Sequence, residues 1–380
     1  MRRAAPVLIL SFISAALAAI TNDPELAGIA EATRLVANSP AAGVAVVLDG
    51  EIRVGVAGAR EVRGPADVAP DDLWHVGSNT KSMTATLVAR LAENGTISWE
   101  DTIGGVLGDS VGDVHPDYAR LTYSHLLTHR AGLPGNISFG ELVRFITIDS
   151  ERTPIREQRL EYSRRVLRRR PAGTPGEFEY SNGGYVVAAA MLEASTGMSW
   201  EQLMQAEVFD PLGLQSAGFG PPGFKADRRE SRVVDQPRGH RNWLIRGLRP
   251  VRPGPNADNP AFTGPAGTVH MSLEDLARYL SAHLAGSRGE ESEYLSPESW
   301  ALLHTPPAGF TYAMGWGVKG AVISHNGSNT LWYVSMEFRP GENAAAIVAF
   351  NDGRIRRLAG QANETIRELA TLAVSSGATE

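Results

Sequence analysis

The strand signals of this chain stand at its two ends, a pattern that leaves few architectures open. Near the N-terminus, GVAVVLDGEIRVGVAG (43–58) gives two short β-branched runs around Asp49-Gly50, a pair suited to a two-residue hairpin turn. Near the C-terminus, TLWYVSMEFRPGENAAAIVAFNDG (330–353) gives two more, joined by Arg339-Pro340-Gly341-Glu342 and closed by Asn351-Asp352-Gly353. Between them the apolar spacing is mostly helical, with identifiable starts. Ser296 is followed by Pro297, and Ser272 with Asp275 resembles a capping box ahead of LARYLSAHL. A last amphipathic helix is predicted from Ile355 to about Val374, with Leu358, Ile366, Leu369 and Leu372 on its apolar side. The stretch from Pro221 to Pro265, rich in Pro, Gly and Arg, reads as long surface loop. The economical architecture is one antiparallel sheet built from both chain ends, flanked by helices, with a mostly helical lobe inserted between them. This is an α/β (α+β) fold, with its α/β lobe at about 20–95 and 305–380 and its helical lobe at about 96–304.

At 380 residues the chain is long enough for a large core split into two lobes, and its 43% hydrophobic, 21% charged composition is that of a soluble globular protein. A net charge of −6 gives no general reason to expect nucleic-acid binding. Two arginine-rich patches, Arg165–Arg170 and the stretch from Arg228 to Arg252, depart from that average. Both read as solvated surface or loop, with an anionic partner such as a lipid surface as the alternative. Arg2 and Arg3, the apolar run from Val7 to Ala19, and Ala16-Leu17-Ala18 form the pattern of a cleavable export signal over residues 1–19. The run is shorter than the roughly 20 residues of a spanning helix. The expected location is therefore periplasmic or secreted, in a bacterial cell envelope, with no transmembrane span in the mature form. The oligomeric state is not legible. Cysteine is absent, which excludes disulfides, thiolate catalysis and cysteine-ligated metals.

Of 36 basic residues only Lys81, Lys225 and Lys319 are lysines, and Lys81 follows Ser78 by three at the start of a predicted helix. Met83, Leu87, Val88 and Leu91 recur at helical spacing, and Asn94-Gly95 supplies a stop. Ser78 thus falls at or near a first turn, where free N–H groups and the helix dipole favour developing negative charge. The spacing puts Lys81 on the same face. Guanidinium cannot lose its proton at accessible pH, whereas a buried lysine can, and a serine hydroxyl needs an adjacent base to become a nucleophile. The plain alternative is a capping serine beside a surface lysine. Two further pieces are Tyr180-Ser181-Asn182, at a turn entering a helix that ends near Gly197, and His325-Asn326-Gly327, beside a strand. Taken alone, Tyr180 reads as an ordinary packed aromatic and His325-Asn326-Gly327 as a simple turn. His125 and His129 stand i,i+4 on a predicted helix, a zinc-compatible spacing. Neither a following glutamate nor an obvious third ligand accompanies them, so no metal or cofactor is expected.

Taken in order, Ser78-x-x-Lys81, Tyr180-x-Asn182 and His325-x-Gly327 resemble the motifs of the serine hydrolases of the class C β-lactamase and penicillin-binding-protein family. The likeness extends to LLTHRAGLP (126–134), GPAGTVHMSLEDLARYL (264–280) and YAMGWG (312–317), and so covers nearly all of the mature chain. It implies that family's fold and an acyl-enzyme mechanism. Ser78 would attack a carbonyl, while Lys81 and Tyr180 share the proton in a coupled titration that singles out neither as base. Asn182 would hold Lys81 and the substrate oxygen, and the N–H groups of Ser78 and Ser328 would form the oxyanion hole. The LLTH segment would be structural.

The third motif departs from the family pattern. Where β-lactamases and most penicillin-binding proteins place lysine, this chain has His325, mostly neutral at pH 7. Relatives with His-x-Gly include D-amino-acid-processing peptidases and esterases. The expectation is a hydrolase of an ester, amide or D-amino-acid-containing peptide. A β-lactamase or D-alanyl-D-alanine carboxypeptidase is the alternative, and a non-catalytic envelope protein that binds a ligand in the same cleft is a further one. If His325 faces the substrate, uncharged esters or amides should be preferred, unless Arg354 supplies a cation from the final helix.

Overall fold

A computed structural model of the protein describes residues 21–135, 153–223, 234–243, 245–254 and 257–376; the expected export signal lies outside them. The strands are β1 (Ala41–Leu48), β2 (Glu51–Gly58), β3 (Trp74–His75), β4 (Gly218–Phe219), β5 (His240–Trp243), β6 (Gly247–Pro250), β7 (Val269–Met271), β8 (Gly317–Lys319), β9 (Val322–Gly327), β10 (Tyr333–Arg339) and β11 (Ala344–Phe350). They form a six-stranded sheet ordered β2-β1-β11-β10-β9-β8, a three-stranded sheet β3-β7-β4, and the hairpin β5-β6. Asp49 and Gly50 turn β1 onto β2 with φ of 49° and 84°. The chain ends meet where β1 pairs antiparallel with β11, Val44 opposite Val348.

Every residue of β11 is buried, which its sequence AAAIVAF permits on both faces. On one face Ala346, Val348 and Phe350 meet Leu26 and Ala30 of the helix Pro24–Ala37, and Leu358, Ile366 and Leu369 of the helix Ile355–Ser376. On the other, Ala345, Ile347 and Ala349 join the larger core, which includes Leu276 and Leu280 of the helix Leu273–Ser287. Each leucine so buried stabilises the fold by about 1.5–3 kcal/mol. The helix Thr80–Glu93, buried at every position from Thr80 to Ala89, runs through the middle of the molecule. No described helix is long and apolar enough to cross a membrane.

Two sequence expectations need correction. Ser272 does cap its helix by accepting the Asp275 N–H, but the Asp275 carboxylate accepts from Ser216 N at 2.6 Å, so only half a capping box forms. The stretch Pro221–Pro265 is not all surface loop. It supplies β5 and β6 and buries Phe262 and Thr263, because main-chain groups carried inward need partners, as His240 N finds in Leu331 O.

Behind the central helix lies a buried imidazole pair. His283 Nδ1 and His304 Nε2 are 2.8 Å apart, with Thr86 Oγ1 and Ser287 Oγ at their outer nitrogens. Burial lowers both pKa values, that of His304 to about 3. The folded values lie below the unfolded value near 6.5, so the unfolded chain binds more protons in that window. Stability is therefore fully present above about pH 6.5 and falls with acidification, by about 1.4 kcal/mol per pH unit for each imidazole kept neutral. Urea unfolding at pH 7 and pH 4.5 should show this loss, and His304→Gln should shrink it. An equal acid sensitivity in the variant would remove His304 as its source.

Candidate active site

The candidate nucleophile sits where two backbones touch. From β3 the chain passes through Val76 into a 3-10 turn, Gly77–Asn79, that continues directly into the helix Thr80–Glu93. Gly77 has φ of 54°, and a Cβ there would lie 2.3 Å from Ser328 N. A Cβ on Gly327, at the end of β9, would lie 1.8 Å from Val76 O and 2.9 Å from Ser78 N. Only glycine allows this approach, and the approach is what brings the Ser328 main chain beside Ser78. The Ser328 side chain turns to Trp332 O, and its N–H donates to no backbone carbonyl among the described residues. The turn is braced from below. Gly77 N donates to His75 Nδ1 at 3.1 Å, His75 Nε2 is 2.8 Å from Asp258 Oδ1, and Asn329 Nδ2 donates to that same oxygen at 3.1 Å.

Lys81 is 0% exposed. Its Nζ donates to Ser78 Oγ at 3.0 Å and to Ala266 O at 2.7 Å, and no carboxylate pairs with it among the described residues. Burial without a counter-charge pushes its pKa well below the ordinary lysine value. Ala266 belongs to the short helix Gly264–Gly267. The turn before it is held by Arg159, whose Nε donates to Phe262 O at 3.1 Å while its other nitrogens pair with Glu193 and Glu201.

Tyr180 completes the cluster from the other side. As a residue it is 36% exposed, yet burial of its hydroxyl pushes the pKa up to about 12, with the neighbouring Ser78 hydroxyl lowering it in part. Lys81 Nζ lies 4.9 Å from its ring centroid. The residue just before the helix Asn182–Thr196 is Ser181, whose N–H donates to His129 Nδ1 at 3.0 Å, and the His129 ring packs 4.2 Å from that of Tyr180. His129 thus positions the tyrosine. The expected i,i+4 histidine pair does not form, because the helix Tyr123–Leu127 ends before His129, which has φ of 58°. His125 serves instead in the cap of that helix, on Thr122.

Ser78, Asn182, Asn259, Pro260, Thr263, Ala266, Gly267, Ser328, Asn329 and Thr330 line a cleft of about 430 Å³. Three expectations change here. Asn182 lines the cleft, but no hydrogen bond joins it to Lys81, whose second partner is Ala266 O. His325 is only 8% exposed and packs behind the cluster, its Nε2 2.9 Å from Tyr312 Oη. Burial, and then the nearby Lys81, hold its pKa down at about 3, so it is neutral but does not form the cleft wall. Arg354 is committed elsewhere, to Asp352 and to Asn38 O at the end of the helix Pro24–Ala37. It is not a substrate cation.

The arrangement can do acyl-transfer chemistry. A serine at a helix start stands beside an amine whose pKa burial lowers and a phenol whose pKa burial raises, with a second backbone N–H alongside. The model of the family described as Beta-lactamase matches residues 30–371. The chain belongs to the Beta-lactamase family. It is 27% identical over 346 residues to Penicillin-binding protein 4 of Amycolatopsis lactamdurans, across 85% of this chain and 84% of that one. It is 24% identical over 306 residues to the D-alanyl-D-alanine-carboxypeptidase/endopeptidase AmpH of Escherichia coli K12, across 80% and 72%. The crystal structure of the D-amino acid amidase of Ochrobactrum anthropi SV3 matches with a TM-score of 0.70 at 20% identity, over 93% of this chain and 98% of that one. As a member of the Beta-lactamase family the chain is a serine hydrolase. What sequence reading missed was main-chain or supporting: Ala266 O, His129, Tyr312 and the His75–Asp258 brace. The segments GPAGTVHMSL and LLTH drew notice, but a carbonyl acceptor has no residue-type signature.

Proposed function

We propose that this serine hydrolase acts on an uncharged amide, ester or D-amino-acid-containing peptide bond through an acyl-enzyme on Ser78. The observation that carries the reading is Lys81: buried, without a carboxylate, and 3.0 Å from the Ser78 hydroxyl. Its depressed pKa makes a neutral amine available to accept the Ser78 proton, whereas the raised pKa of Tyr180 keeps a phenol able to pass one to the leaving group. The titrations belong to the pair. Ser78 N–H and Ser328 N–H would receive the oxyanion, and Asn182 the substrate amide or ester oxygen.

The named activities of the relatives, carboxypeptidase/endopeptidase and D-amino acid amidase, support an amide or peptide substrate. The charge of the cleft narrows it. Among the described residues that line it none is charged, and His325 is neutral behind it, so none of these offers a substrate carboxylate a cation. Weak β-lactamase activity follows, since β-lactams carry that carboxylate. The N-terminal apolar run supports an exported, envelope-located enzyme. A panel of p-nitrophenyl esters, D-aminoacyl amides, D-Ala-D-Ala peptides and nitrocefin tests the reading. The highest kcat/KM should fall on a substrate without a carboxylate beside the scissile bond, and nitrocefin as best substrate would overturn it. Tyr180→Phe should leave melting unchanged and lower kcat by roughly 10²–10⁴-fold. A drop below about threefold would leave Tyr180 as packing.

A further inference from the structure

The hairpin β5-β6 carries a surface that the hydrolytic site does not use. Between Asp235 and Asp258 the chain has no acidic residue and five arginines. Arg238 pairs with Glu61 at 2.9 Å. Arg241, Arg246, Arg249 and Arg252 are exposed, and none has an ion pair among the described residues. Near the tip Trp243 is 52% exposed and Ile245 is 98% exposed.

The register sharpens the picture. Arg241 stands opposite Arg249, and Trp243 opposite Gly247, so two arginines face each other across the ladder with the indole next along on the same side. Like charges placed directly opposite destabilise a strand pair, and a two-stranded hairpin is marginal by itself in water. Among the described residues, its main-chain bonds to the rest of the molecule stand at its base, where His240 N donates to Leu331 O at 3.0 Å and Gly353 N to His240 O at 3.1 Å. Anions between the arginines would relieve their repulsion, and an interface that is apolar below and anionic above would take the tip. Free phosphate or an acidic peptide would satisfy the arginines and leave Ile245 in water.

We propose that this hairpin docks the protein on an anionic phospholipid surface, with Trp243 and Ile245 at the headgroup–acyl boundary and Arg241, Arg246 and Arg249 on lipid phosphates. The proposal stands apart from the hydrolytic reading. Hydrogen exchange of the full chain, alone and with vesicles, localises the contact even if the N-terminal segment also binds lipid. Vesicles of phosphatidylglycerol with phosphatidylethanolamine should slow exchange in β5 and β6, an effect that salt weakens, and phosphatidylcholine vesicles should not. Trp243→Ser with Ile245→Ser should abolish that protection, and Arg241→Gln with Arg249→Gln should weaken it about tenfold or more. Both variants should hydrolyse a soluble p-nitrophenyl ester at the wild-type rate. Vesicle binding without hairpin protection, or protection indifferent to these substitutions, overturns the proposal. Absence of binding to anionic vesicles does so too and leaves a protein as the occupant. Loss of soluble-ester turnover in the variants would make the hairpin part of the cleft instead.

Discussion

Ser78→Ala is expected to lower kcat on the best substrate by about 10⁴–10⁶-fold, to the rate left by binding and oxyanion donors. The fold should not change. The Ser78 hydroxyl accepts from Lys81 and neighbours that of Tyr180, and Lys81 keeps its 2.7 Å bond to Ala266 O when the hydroxyl is gone. The serine's place in the chain is held by backbone contacts at Gly77 and Gly327 that the substitution leaves alone. Unchanged melting with lost turnover is the expected pair of results. Substantial activity in the purified variant would move the nucleophile to another residue.

Lys81→Arg is expected to be nearly as damaging as Lys81→Ala, each costing roughly 10²–10⁴-fold in acylation. The wild-type site buries an amine that can be neutral, with burial the cause of its lowered pKa. The sign follows from that. The neutral amine is the working form, so acylation should rise with pH as Lys81 loses its proton and fall below its depressed pKa. Arginine keeps its proton throughout and should erase this limb. A larger, permanently charged group also fits this buried position poorly, so the pH profile distinguishes a lost shuttle from a damaged fold. Most of the wild-type rate retained in Lys81→Arg, with the same pH limb, would make the lysine's role electrostatic.

The sheet was legible because its signals are local. Asp49-Gly50 dictates a hairpin, and the runs on either side of Arg339–Glu342 can only be strands, so the β1–β11 join of the chain ends followed. The final helix was legible from Leu358, Ile366 and Leu369 at helical spacing. In the site, residue type carried the signal. One lysine among arginines, three after a serine, marked a group needed for its ability to lose a proton. Long-range placement was not legible. Nothing near His325 in sequence says that Tyr312 covers it, and nothing near Arg354 says that Asp352 and the end of the first helix take its guanidinium. The Pro-rich stretch before Pro265 looked like loop because its strands are four residues long each and its buried members are held by tertiary contacts rather than by periodicity.

The most direct test of the account is the intact mass of the protein after a brief exposure to a fluorophosphonate, followed by peptide mapping. One adduct per chain is expected, on the peptide that carries Ser78, forming faster as pH rises and absent from Ser78→Ala. An adduct on another serine, or a wild-type protein that stays unmodified while folded, would contradict it.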